Sequence, residues 1–401
     1  MRLTNEQLQK VKEKYGVVEL YSWSKINTFM TSPYEFYLQY VLHKKPDRDN
    51  SAYAPIGGCV HQIIEDLYNN KIEYNDMKSA FEDAWITAID IADLRFVRGD
   101  EEKNRNIADK YKISLHHFFA NHRRIQRKVE LERFLCAKIG DYVLQGYADA
   151  ITKTENDEFK IIDWKTSSMF TGKDLVEKSG QLVVYSIALM QLGVPLEKIK
   201  PCFCMLKYCN VEVTQKNGNK KVRTIERHKL GESLSTNVRM WLKDYGCNEP
   251  EIDTYLKQLI DSNSIECLPI EVQNKFFIDD CYVFVPLTQK LIDNWTNTII
   301  STIKDIEYRI DSYNQTKSIN CFWDSEESVK AQSYYFANLC SFSPNLHLPY
   351  QTYLKKFEAA QKGDDLFAGL GLGADTVSTS SGNVINNKND ELDLSWLDQI
   401  T

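Results

Sequence analysis

The chain has 401 residues, of which 43% are apolar and 26% charged, the make-up of a soluble globular protein of about two domains. No apolar run approaches the ~20 residues that span a bilayer, and the polar opening MRLTNEQLQKVKEKYG does not resemble an export signal. The net charge of −7 is concentrated after residue 362, where seven acids meet one lysine, so the remaining body is close to neutral and a nucleic-acid partner is not excluded. Ten cysteines without a CxxC pair read as reduced thiols, and the expected location is cytoplasmic. Basic clusters stand at 43–45, 122–128 and 216–223.

In chain order, residues 1–45 read as helical and aromatic around Pro33. A helix begins near Cys59, with Val60, Ile63, Ile64 and Leu67 on one face, and helical pattern continues to about Arg127. The period then changes: VELERFLCAKIG, YVLQGYADAITK and EFKIIDWK read as three strands with short polar turns. GQLVVYSIALMQLG is a helix apolar on nearly every side, ending at Gly193. KPCFCMLKYC is a fourth strand, and a hairpin follows through Asn217-Gly218. Residues 231–300 are mixed in pattern, and a long amphipathic helix starts near Thr288. After Lys362 the composition turns to Gly, Ser, Asn and Asp and reads as disordered.

The segment IIDWKTS carries the chemistry. Asp163 and Lys165 are two apart on a strand and so share a face. A hairpin through TKTENDEF is centred on Asn156, midway between Asp149 and Asp163. The two acids then stand opposite each other with Cβ atoms ~4.5–5.5 Å apart. Opposed carboxylates repel; a divalent cation between them removes the objection, and hard oxygen ligands suit Mg²⁺ or Mn²⁺. Two acids and a lysine are a minimal kit for metal-assisted phosphodiester hydrolysis. A surface salt bridge is the plain alternative for the same residues. Glu130 or Glu132 on the first strand could add a carboxylate, and the residues alone do not choose between them.

Four segments in this order resemble the PD-(D/E)xK nuclease superfamily in its RecB-type exonuclease branch: SWSKINTFMTSPYEFYLQYV, IGGCVHQIIEDLY, GYADAI with IIDWKTS, and GQLVVYSIAL. The resemblance covers roughly residues 1–210. It implies a restriction-endonuclease-like α/β fold, a central mixed sheet flanked by helices. It also implies metal ligation by His61, Asp149, Asp163 and Trp164, with Asp149, Asp163, Lys165, Gln181 and Tyr185 as catalytic residues. Many relatives hold an iron–sulfur cluster on four cysteines. Here Ser32 stands where the first is expected and Cys321 and Cys340 stand alone, so no cluster is expected.

The segments then read as an N-terminal helical part (1–128), a catalytic core (129–210), an elaboration packed on it (211–362) and an acidic tail (363–401). The expected function is a Mg²⁺- or Mn²⁺-dependent DNA exonuclease of recombination, repair or DNA breakdown, with a composition that suits a phage or other low-GC genome. The tail end, ELDLSWLDQIT (391–401), sets apolar anchors among acids and reads as a docking peptide for a sliding clamp, single-strand-binding protein or recombinase. The competing readings are a nuclease-like DNA-binding module that does not cut, and an adaptor whose business is its tail.

Overall fold

The computed structural model describes residues 3–48 and 50–369. Residues 391–401, read above as a docking peptide, and most of the acidic tail lie outside the described residues. Contacts divide the chain into two compact units, one holding 3–20 and 50–292 and the other 21–48 and 293–369.

The first unit is built on a mixed sheet. Its strands are β1 (Val129–Ile139), β2 (Tyr142–Lys153), β3 (Phe159–Lys165), β4 (Ile199–Thr214), β5 (Lys220–Glu226) and β6 (Phe276–Phe284). β1, β2 and β3 form an antiparallel meander. β3 and β4 run parallel, from Phe159↔Ile199 to Lys165↔Met205. A parallel pair needs a crossover, which the helices Gly172–Lys178 and Gly180–Gln191 supply. β4 is long enough to serve two partners. Its first half pairs β3 and its second half pairs β5, while β6 runs antiparallel to it with a register break between Cys204 and Cys209. Residues 202–204 pair both β3 and β6, and 209–213 pair both β5 and β6. β3 and β5 therefore share one edge of β4, and β6 takes the other.

Helices cover the sheet. Ala150, Ile162, Trp164, Cys202, Cys204 and Leu206 pack against the helices Tyr53–Tyr68, Met77–Trp85 and Glu101–Asn121 in a common apolar core. The first of these begins at Tyr53, ahead of the start read near Cys59. Pro55 lies in its first turn, where the missing N–H has no intrahelical partner to lose. Asp100 caps the third helix by accepting the Lys103 N–H, with Glu101 and Glu102 in the first turn complementing the helix dipole. The stretch 231–300 resolves into the helices Leu230–Tyr245 and Glu249–Ser262 and the strand β6. The turn before β5 has Gly218 at φ +81°, as its Asn-Gly pair requires.

The second unit is helical, with a core of Phe29, Phe36, Tyr37, Phe322, Phe336 and Phe342 among others. Ser32, where the resemblance expects a cysteine, is fully buried there. Its hydroxyl donates to Asp324 Oδ2 at 2.7 Å and lies 3.0 Å from His347 Nε2. The Tyr350 N–H donates to His347 Nδ1, so the imidazole carries its proton on Nε2 and donates to Ser32. Burial pushes Asp324 up to about 6 and His347 down to about 4. The last described helix, Leu348–Gly369, continues beyond Lys362. Among the described residues no helix is long and apolar enough to cross a membrane.

Candidate active site

The β2–β3 register runs through Ile151↔Ile161 and Ala150↔Ile162, which centres the hairpin on residue 156. The next pair would be Asp149 with Asp163, and there the main-chain ladder stops. Instead the Trp164 N–H donates to Asp149 Oδ2 at 3.0 Å, a side chain taking the place of a strand carbonyl. The two carboxyl groups come within hydrogen-bond reach of each other. Burial, and then the charge of Asp163, hold Asp149 well above the usual carboxylate range. Lys165 Nζ lies 2.8 Å from Asp163 Oδ1. Burial works against the charge of Lys165, but the charge and hydrogen bond of Asp163 outweigh it and raise its pKa. Asp163 Oδ2 is buried with no hydrogen-bond partner.

His61 reaches the same place from the helix Tyr53–Tyr68. Its Nε2 is 2.8 Å from the Trp164 carbonyl and its Nδ1 is 3.6 Å from Asp149 Oδ2. A carbonyl only accepts, so Nε2 carries the proton and Nδ1 turns a lone pair toward Asp149. Burial lowers the His61 pKa, keeping the ring neutral. Trp164, on which Tyr68 stacks at 6.3 Å, is thus held from its ring, its N–H and its carbonyl.

Gln181 and Tyr185 lie one turn apart and bond each other, Gln181 Nε2 donating to the Tyr185 hydroxyl at 3.0 Å. That hydroxyl donates in turn to the Tyr147 carbonyl at 2.8 Å. Burial keeps the phenol neutral, and the charges of Asp149 and Asp163 add to the effect. Gly146 makes the approach possible: a Cβ there would lie 2.7 Å from the Tyr185 ring and hydroxyl.

The choice between Glu130 and Glu132 resolves in the geometry. Glu130 is at the surface near Lys128 and Arg133. Glu132 falls opposite Asp149 in the register, between Leu131↔Ala150 and Arg133↔Ala148, and takes φ +45°, rare for a residue with a side chain. Its charge acts on His61, Glu65 and Tyr185. Glu65 is the carboxylate that sequence reasoning missed. It lies one turn after His61 on the same helix, and burial followed by Glu132 raises its pKa. The i, i+4 spacing from His61 was the available signal.

Hard donors suited to a divalent cation stand here: two carboxylates, one of whose oxygens is buried without a partner, and the Trp164 carbonyl with a lone pair to spare. The His61 ring bonds that carbonyl through Nε2 and turns Nδ1 toward Asp149, so one ion would take the imidazole together with the carbonyl only after the ring leaves it. Among the described residues no three His, Cys, Asp or Glu side chains form a ready-made cage. Lys165 takes up one Asp163 oxygen, and the carbonyl is needed to complete the set.

A family model described as the PD-(D/E)XK nuclease superfamily matches residues 21–318. The chain belongs to this superfamily, whose members are generally nucleases, and it has the restriction-endonuclease-like α/β fold. No curated protein is a match. Among solved structures, the crystal structure of SSO0001 aligns over 58% of this chain and 85% of its own at 14% identity, with a TM-score of 0.16.

Proposed function

We propose that the protein is a divalent-metal-dependent deoxyribonuclease working as an exonuclease. The observation that carries this reading is the pairing of half-buried Asp149 with buried Asp163, with Lys165 at 2.8 Å and one Asp163 oxygen left without a partner. A fold does not keep two acids together at a desolvated point for stability.

Asp149, Asp163 and the Trp164 carbonyl would hold Mg²⁺ or Mn²⁺, with His61 joining them once its ring leaves that carbonyl; the ion when bound supplies charge neutralisation at a phosphodiester and a more acidic water. Asp149 would serve as a ligand in its ionised form, and the Trp164 N–H fixes the orientation of its carboxyl group. Lys165, oriented by Asp163 Oδ1, offers N–H donors to the charge that develops on the phosphate and to the attacking water. Tyr185, anchored by Gln181 and the Tyr147 carbonyl, keeps the wall of the site in place. Glu132 and Glu65 add negative charge beside His61 and favour a cation there.

The rival reading, a DNA-binding module without cleavage, is disfavoured by the same pair, since opposed acids repel a phosphate unless a cation stands between. The proposed settings are recombination, repair or DNA breakdown, with residues 391–401 as a docking peptide for a partner protein on the strength of their composition. The deciding experiment offers end-labelled linear and covalently closed circular DNA with Mg²⁺ or Mn²⁺. Cleavage of linear DNA alone supports the exonuclease. Cutting of circles revises the mode, and cleavage of neither in either metal overturns the nuclease reading.

A further inference from the structure

Beyond the catalytic strand lies a lysine that the chemistry above does not use. β3 pairs β4 up to Lys165↔Met205, and β5 takes over that edge at Tyr208↔Glu226. Leu206 and Lys207 fall between, where the edge has neither partner and where the β4–β6 register also breaks. Lys207 therefore sits in a notch of the sheet, at the level where the catalytic strand ends.

The notch is built firmly. Lys207 Nζ lies over the Tyr111 ring, 4.4 Å from its centre. Tyr111 is 3% exposed, packs on Phe96 at 4.7 Å, and donates its hydroxyl to the Thr166 carbonyl at 2.5 Å. Thr166 follows Lys165, so the Tyr111 ring ties Lys207 to the residue next to the catalytic lysine. Tyr208, the next residue, accepts the Met169 N–H and so steadies the loop after Thr166.

The ammonium is left without a counter-ion. Lys207 makes no hydrogen bond or ion pair among the described residues. The acid whose charge reaches it is Glu226, and Glu226 is already bonded by Lys229 and influenced by His228 and Lys110. A lysine that only packs its stem carries the head out to water. This head is partly stripped of water over a ring, and burial lowers its pKa to about 8. Glu226 is thus bonded by Lys229, and its charge interacts with Lys110 and Lys207; Lys110 and Lys229 are not buried.

We propose that Lys207, flanked by Lys110 and Lys229, is a subsite for a backbone phosphate of the nucleic-acid strand, adjacent to the phosphate at Asp163 and Lys165; this rests on the nuclease reading. The missing partner is an anion with several acceptor oxygens, and the repeating charge of a nucleic-acid backbone supplies one next to the cleaved bond. Lys207 is a positioning residue, acting on the grip and register of the strand.

The test uses the full chain made non-cleaving by Asp163→Asn and a fluorescein-labelled DNA duplex with a single-stranded overhang, titrated by anisotropy over a range of NaCl. Adding Lys207→Gln is expected to weaken binding and to lower the slope of log K against log salt by about one, and Lys207→Arg to restore it. Neutral methylphosphonate linkages placed one at a time should reveal a position that weakens binding when Lys207 is present and has no effect once Lys207→Gln is introduced. Binding with unchanged slope in Lys207→Gln overturns the subsite alone. No DNA binding by the parent protein overturns both the subsite and the reading beneath it. Should Lys207→Gln not fold, the pair Lys110→Gln and Lys229→Gln, neither at a buried position, carries the same slope test with the same outcomes.

Discussion

Asp149 accepts the backbone N–H of Trp164 across the β2–β3 hairpin at 3.0 Å. The bond stands where the strand ladder would have continued, so the carboxylate is fixed by the sheet itself. Burial, and then the charge of Asp163, raise the pKa of this group, so a proton competes with a cation for it. Affinity for Mg²⁺ or Mn²⁺ should therefore rise with pH, up to about tenfold per unit below the Asp149 pKa. His61, held neutral, has no proton to give up at neutral pH. Calorimetry in two buffers of different ionisation enthalpy should register proton release on ion binding that grows as the pH falls. Release of no protons at any pH would count against this competition.

Replacing Lys165 by Ala or Asp163 by Asn should cut cleavage about a thousandfold or more. DNA binding without metal should change only a few-fold, because contacts to the backbone carry most of the affinity. Single-turnover cleavage and anisotropy on the same preparations separate the two. If Lys165→Ala cleaves within a few-fold of the parent, the assignment of this site is wrong.

Gly146→Ala should be costly for its size. The added methyl would lie 2.7 Å from the Tyr185 ring. Overpacking of this kind costs about 1–3 kcal/mol, and the shift of Tyr185 should lower activity as well. In the double variant with Tyr185→Ala the clash disappears, so the combined loss should fall short of the sum of the two. Thermal melts of the four proteins give the answer, and strict additivity would count against the contact.

His117 makes the first unit acid-sensitive. Its Nδ1 accepts from Arg227 Nη1 at 3.1 Å, and burial followed by the Arg227 charge lowers its pKa to about 3. The unfolded chain takes up the proton below about pH 6.5 while the folded one refuses it. The stability this confers is complete above that pH and is lost as the pH falls toward 3. By pH 4.5 the loss from this one group should be about 2–3 kcal/mol. Urea unfolding at pH 7.5 and 4.5 should show it, and His117→Gln, which can still accept from Arg227, should flatten the dependence. Equal slopes for parent and variant would exclude His117 as the cause.

The centre of the catalytic hairpin was legible because a polar turn marks it and strand parity does the rest: Asp149 and Asp163 are equidistant from Asn156. The helix of Gln181 and Tyr185 was legible because it is apolar all round. β6 was not. Its run is broken by Asp279 and Asp280, and Asp280 reads as a surface acid until its partners are known. Those partners are Arg227, at 2.7 Å, and His122, at 2.7 Å, which come from distant segments. Glu132 was left level with Glu130 because what separates them is a backbone angle, φ +45°, that no side-chain pattern announces. Pro55 and the Gly57-Gly58 pair hid the start of the His61 helix, since they read as breakers until a first turn is known to accommodate them.

β4 divides its labour along its length, the half beside β3 fixing the catalytic strand and the half beyond Lys207 carrying β5. Heredity can treat the two halves differently. The first tolerates no slip, since one residue of drift would turn Asp163 and Lys165 away from Asp149. The second can lengthen, shorten or exchange its hairpin without disturbing that register. Chains of this lineage should therefore vary most in length around residues 215–219, where the hairpin can change while the register of Asp149, Asp163 and Lys165 is kept.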